Sequence, residues 1–193
     1  MKLLLILITF LFSSSKLEKA TLVTEGENII SVKGTSTMHD WTMTSTELKA
    51  QTEILIDAEK DIQIMSFSGV LDATSLKSGH GTMDKNAYKT LKTNEFPTIS
   101  FDIKRLESKD PETGNVQAVF SVTIAGVTKE LTVKALVNPV GEDGVTISGT
   151  HNLKMTDFGI KPPSFMLGAL KVGDDLVVEF TLNLKVSQRE IAG

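Results

Sequence analysis

The chain has no cysteine at all, and only one tryptophan, one tyrosine and three histidines among its 193 residues. Without thiols it is neither a disulfide scaffold nor a cysteine-anchored lipoprotein, and no thiolate is available to bind a metal. His39, His80 and His151 lie far apart, and no His-x-His or His-x3-His spacing marks a metal site. The G-x-S-x-G nucleophile elbow, the Walker loop and the G-x-G-x-x-G fingerprint are all missing. So is any excess of positive charge: 20 Lys and Arg stand against 24 Asp and Glu, for a net −4. That balance excludes a nucleic-acid binder working by phosphate neutralisation, which needs a basic surface.

One hydrophobic run is present, Leu3 to Phe12, and it is shorter than the roughly 20 apolar residues of a membrane span. Lys2 precedes it and three serines follow, the layout of a secretory signal peptide with cleavage expected after Ser15 or near Ala20. The expected organisation is therefore a signal over residues 1–20 and one domain over 21–193, with no stable membrane span after cleavage. Loss of residues 1–15 removes Lys2 alone among the charges, moving the net charge from −4 to −5. The remaining chain is long enough to bury one core without covalent staples. No internal repeat or low-complexity segment interrupts it.

From about residue 28 the dominant pattern is alternation with period two, broken by Gly, Asp or Asn. In DDLVVEFTLNLKV, Leu176, Val178, Phe180, Leu182, Leu184 and Val186 share one face, with Glu179, Thr181, Asn183 and Lys185 on the other. NVQAVFSVTI places Val116, Ala118, Phe120, Val122 and Ile124 inward. FPTISFDIKRL does the same with Ile99, Phe101 and Ile103, and VTISGTHNLKM with Val145, Ile147, His151, Leu153 and Met155. One wet and one apolar face per strand is the antiparallel pattern. Asp110–Gly114, Ala125–Thr128 and Gly141–Gly144 read as hairpin turns. Eight or nine long strands joined by short hairpins would leave exposed edges unless the sheet closes. The fold class is all-β, an up-and-down barrel, with a two-sheet sandwich as the alternative.

Two stretches break the alternation. In residues 75–97, Thr82 or Asp84 can cap a short helix through Leu91, with Met83, Ala87 and Leu91 on one face, suited to a lid or plug. In DFGIKPPSFMLGALKVGD the Pro162-Pro163 pair excludes a central strand, so Phe158, Phe165, Met166 and Leu167 belong to a long loop that covers something.

GTSTMHDW, residues 34–41, sets His39 beside Asp40, the pairing a general base needs. No nucleophile or metal partner accompanies it, so the favoured reading is a strand end in which His39-Asp40 pins a turn and Trp41 fills space; no catalytic residue and no metal ligand is assigned. SGHG at 78–81 reads as a turn before the helix. His151 falls on the inward face, where a polar ring needs a hydrogen-bond partner, a water or a ligand headgroup.

GTSTMHDW, SLKSGHGTMDKNAYKTLKTNEFPTISF, VTIAGVTKELTV and LKMTDFGI, in this order and spacing, resemble the YceI-like family of polyisoprenoid-binding, lipocalin-like proteins over residues 25–187. The resemblance implies a single eight-stranded antiparallel barrel with one short helix in a long loop, exported to the periplasm or secreted. It implies an isoprenoid-type lipid in the lumen, held by a non-enzymatic carrier or reservoir. Many members carry an Arg-Asp pair before the helix; here Met83-Asp84 stands there, so only the Asp carries over.

Strand parity then names the expected lumen: Ile99, Phe101, Ile103, Ala118, Phe120, Val122, Ile147, His151, Leu153, Met155, Val178, Phe180 and Leu182; the apolar residues of the loop, Phe158, Phe165, Met166 and Leu167, are the expected mouth. The expected partner is a hydrophobic lipid and not nucleic acid; no cofactor beyond a bound lipid is expected, and a homodimer is compatible with the sequence. The alternative is a structural or interaction module whose barrel is filled by its own side chains. An eight-stranded barrel is just wide enough for either outcome.

Overall fold

Long β-branched and aromatic strands, each with one apolar face, can hide that face only by curling the sheet upon itself, and the chain does so. The computed structural model describes residues 17–56 and 62–192. The expected signal segment lies outside the described residues up to Lys16, whereas Leu17–Ala20 already belong to the first strand. The strands are β1 (Leu17–Thr24), β2 (Ile29–Ser36), β3 (Trp41–Ser45), β4 (Lys49–Ile56), β5 (Ile62–Asp72), β6 (Thr98–Lys109), β7 (Asn115–Ile124), β8 (Val127–Val140), β9 (Gly144–Lys154), the two-residue β10 (Ser164–Phe165) and β11 (Leu170–Ala192). One α-helix, α1 (Gly81–Leu91), follows β5.

All pairings in the barrel are antiparallel, and β1 pairs with β11 to close it. Ten of these segments make eight staves because two staves are bent; β10 pairs only with β11, off this path. β1 and β2 lie end to end along β11, with Thr24 opposite Leu184 and Ile29 opposite Thr181. β4 and β3 likewise flank them on the other side. The bend between β1 and β2 is held by Asn28, which is 5% exposed. Its side-chain oxygen accepts the Asn183 amide at 2.8 Å and its amide donates to the Gly26 carbonyl at 3.1 Å. Asn28→Ala leaves the half-buried Asn183 amide without its acceptor, so the expected loss of unfolding free energy is about 1–3 kcal/mol, measurable by urea titration.

The hairpins fall where the turn residues stand. Ile124 pairs with Val127 across a two-residue turn, and both central residues, Ala125 (φ 49°) and Gly126 (φ 78°), take the left-handed conformation that matches the twist of the strands. The β8–β9 ladder differs from its neighbours. It runs only from Val140–Gly144 to Leu136–Ser148, although β9 continues along β11 as far as Lys154–Asp175. Past the Leu136–Ser148 rung, residues 134–136 and 148–150 border a cleft of about 580 Å3, and further along Met155 and Phe158 of a 3-10 turn (Met155–Phe158), with Ile160 after it, form a buried cluster against Val127 and Leu131 of β8 and Leu153 of β9.

The main core occupies the other part of the lumen. Ala20, Leu22, Leu71, Leu182 and Leu184 are its most buried members, with Phe101, Phe120, Ile103, Ile147 and Phe180 packed against the cluster. Phe67, Phe101 and Phe120 touch one another pairwise at ring-centroid distances of 5.9 Å, one pair stacked and two edge-to-face.

Candidate functional site

One end of the barrel is not filled. A cavity of about 680 Å3 lies between the lumen, α1 and the loop that carries Phe158 to Leu170. Its walls are Val32 of β2, Met43 of β3, Ile99 of β6, Leu153 of β9 and Val178 of β11; its roof includes Met83, Ala87 and Leu91 of α1; Phe158, Ile160, Pro163 and Phe165 close the loop side. The stripe Met83–Ala87–Leu91 faces inward as its spacing predicts, because residues four apart share one helix face.

The helix is fastened from outside the cavity. Neither Thr82 nor Asp84 caps it: His80 occupies the N-cap without a side-chain bond, and the Asp84 carboxylate instead accepts the Ser78 amide at 2.8 Å and the Ser78 hydroxyl at 2.6 Å. The Tyr88 hydroxyl donates toward the carbonyls of Thr74 (2.8 Å) and Leu76 (2.9 Å) and accepts from the Lys77 ammonium at 2.6 Å. Lys77 in turn exchanges two backbone bonds with Thr44 of β3. The lid is therefore tied to the barrel by polar bonds at its edges, while Met83 and Ala87 pack against the main core and Leu91 against the cluster of Met155, Phe158 and Ile160, all three also bordering the cavity.

The Ser78 hydroxyl, and then its amide, hold the Asp84 carboxyl below its ordinary value of 3.8. Asp72, Asp110 and Asp174 are lowered in the same way, chiefly by the hydroxyls of Thr74, Thr113 and Thr156. A carboxylate with a lowered folded value binds fewer protons in the folded state. Its stabilising contribution is complete above 3.8 and is lost as the pH falls through the folded value. The expected outcome is a urea midpoint that declines as the pH drops below 3.8, with a shallower decline and a lower neutral-pH stability in Asp84→Asn.

The polar side chains of the lining are few: Ser36, His39, His80, Thr82, Asn86 and Thr90, with the Trp41 indole. Ser36 donates its hydroxyl to the His39 carbonyl (2.8 Å) and not to the ring, while its oxygen accepts the amides of Met38 and His39. The His39 ring bonds the neighbouring Asp40 carbonyl at 2.7 Å, and the Trp41 indole donates to Thr35 at 3.1 Å. GTSTMHDW is thus a locally bonded strand-to-strand turn whose His39 and Trp41 side chains also line the cavity.

Of the residues placed inward by parity, Ile99, Leu153, Met155 and Val178 line the cavity, together with Phe158 and Phe165. Phe101, Phe120, Ile103, Ile147, Phe180 and Leu182 face the lumen at a deeper level and fill it with one another. Val122 packs on the Met155 cluster, and Ala118 is 5% exposed without reaching the cavity. His151 stands opposite Val178 and three residues past the last β8–β9 rung; burial pushes its imidazole below the ordinary 6.5, so the ring is neutral at neutral pH. Met166 and Leu167 point away from the mouth, 76% and 110% exposed. Both take a positive φ of 53°, and the loop that was expected to bring them to the mouth brings only Phe158 and Phe165 there. The β2, β3 and α1 contributions to the wall were outside the parity set, and only the helical stripe and GTSTMHDW signalled them.

A family model of the YceI-like domain matches residues 21–184. UPF0312 proteins of Pseudomonas putida and Pseudomonas syringae are 32% and 31% identical over 100 residues. That stretch is 48% of this chain and 51% of theirs, so the chain spans about half the length of the curated relatives it matches. Among solved structures, Burkholderia cenocepacia BcnA superposes with a TM-score of 0.67 at 16% identity, covering 81% of this chain and 95% of that one. A polyisoprenoid binding domain from Saccharophagus degradans, implicated in plant cell wall breakdown, gives 0.65 at 11% identity over 86% and 99%. These two establish a common fold.

Proposed function

Because this chain belongs to the YceI-like family, we propose that it is an exported, non-enzymatic protein that holds one hydrophobic lipid of isoprenoid type in the roofed end of its barrel, as a carrier or reservoir. The observation that carries this reading is the cavity. At about 680 Å3 with a predominantly apolar lining, it falls in the size range of ligand pockets, about 300–1,000 Å3. A barrel filled throughout by its own side chains would have no such space. The polyisoprenoid-binding description of a neighbour with the same fold supports the ligand class. The hydrophobic run behind Lys2 supports export.

Apolar burial is a sufficient source of affinity. At about 0.8 kcal/mol per methylene, twenty lipid carbons gain roughly 16 kcal/mol gross, and ordering and association remove much of it. Micromolar or tighter binding needs no ionic contact, which agrees with a lining that holds no lysine, arginine or carboxylate. The test is organic extraction of the purified protein followed by mass spectrometry. A reproducible, stoichiometric lipid is the expected result; a protein that emerges empty from every preparation, and that takes up no added prenol, overturns the reading.

A further inference from the structure

The cavity stops where the aromatic layer begins. Ile99 lines it, and two residues further along β6 Phe101 lies in the core; Val178 and Phe180 repeat the step on β11. Phe67, Phe101 and Phe120, mutually 5.9 Å apart, meet in ring-to-ring contact in the lumen. Aromatic rings at that spacing are in van der Waals contact and leave no channel between them.

Two glycines hold this layer in place. Gly69 pairs with Phe101 across the β5–β6 ladder, and a Cβ on it would stand 2.1 Å from the Phe101 ring. Gly149 pairs with Phe180 across β9–β11, and a Cβ there would stand 2.6 Å from that ring. Each ring therefore leans over the neighbouring strand into the space a side chain would take, the arrangement by which an aromatic covers a strand glycine. Phe101 is thus held against the wall over Gly69, and it is the meeting of its ring with those of Phe67 and Phe120 from the flanking strands that fills the lumen at this level.

We propose that this phenylalanine layer is a floor that limits the length of lipid chain the protein accepts. The inference rests on the lipid-binding reading and refines it. At about 30 Å3 per heavy atom, the liquid-volume share of one water, a space of 680 Å3 corresponds to about 23 carbons, or four to five isoprene units. Each methylene up to that length is transferred from water to the cavity and adds affinity. A longer chain must push the rings aside or leave its end in water, where each carbon beyond the floor gives up the apolar surroundings that a micelle or membrane offers it, so binding weakens with further length. The ligand class is accordingly a short isoprenoid or a single-chain lipid of similar length, not a long polyprenyl chain lying the length of the barrel.

The test uses delipidated full-domain protein equilibrated with an equimolar mixture of linear prenols, from two to eight isoprene units, in detergent micelles; native mass spectrometry reads which lengths are bound. Wild type is expected to favour four or five units, with seven and eight units at least tenfold under-represented. Phe101→Ala opens the floor and is expected to move the maximum up by one to two units. Phe101→Leu, a milder truncation, moves it in the same direction by less, and serves if the alanine variant does not fold. Occupancy that keeps rising through eight units in wild type, or a maximum that stays in place in both variants, overturns the floor. Absence of binding at every length overturns instead the lipid-binding reading beneath it.

Discussion

Phe158→Ala is expected to destabilise the delipidated domain by about 3–5 kcal/mol, the upper range for a large-to-small core change. The side chain is 1% exposed and is one of the two largest fully buried groups among the described residues. What places it at the upper end is the rigidity around it. The 3-10 turn that carries it is tied down at each position: the Asp157 carboxylate accepts the Lys154 amide, and Thr156 donates its amide and hydroxyl to Asp174 at 2.9 and 2.6 Å. Gly159 (φ 67°) and Ile160 return bonds to Thr156 and Met155. The turn cannot collapse into the hole, so the lost volume remains as cavity. The hole also opens at the seam where β8 and β9 have no ladder, exposing Val127, Leu131 and Leu153. For a domain of this size the melting temperature should fall by roughly 6–20 °C. Urea and thermal unfolding of lipid-free protein check this, since bound ligand would mask part of the loss. A change below about 1 kcal/mol would show that the cluster does not support the seam.

The largest expected effect on binding comes from filling the cavity. Ala87 lies in the middle of the lid's inward stripe, while Tyr88 and Asp84 fix the helix from its edges. A tryptophan at 87 therefore has only the cavity to enter. It adds nine heavy atoms, or about 270 Å3 at about 30 Å3 each, and so displaces about nine lipid carbons, worth about 7 kcal/mol of gross burial. Ala87→Trp is expected to weaken prenol binding at least a hundredfold in a fluorescence displacement assay. Stability should stay within about 1 kcal/mol of wild type or rise, as cavity filling commonly gives. Lys85→Trp, on the exposed face of the same helix, supplies the control and should bind as wild type does. Equal binding by the Ala87 variant would place the ligand elsewhere.

The parts of the molecule that were readable from sequence are those governed by local rules. Alternation in β11 named Leu182 and Leu184, which are 3% and 2% exposed. The turn residues named the three hairpins from β6 to β9. The i, i+4, i+8 stripe named the underside of α1. The unreadable parts depend on partners distant in the chain. The bend of the first stave is held by Asn28 reaching Asn183, 155 residues away. The early end of the β8–β9 ladder has no turn signal, because it depends on the Met155–Phe158 turn entering the seam.

The site shows the same division. Phe101 and Ile99 have the same parity on the same strand, and nothing local distinguishes them. Ile99 lines a cavity and Phe101 closes it, because Phe67 and Phe120 arrive from β5 and β7 at the level of Phe101 and Gly69 leaves room for its ring. The sequence by itself determined which side of each strand faces inward, since a period of two depends only on the pleat. Only the tertiary structure decided how deep the empty part of the lumen runs, since that depends on which side chains from separate strands meet at one height and fill the space between them.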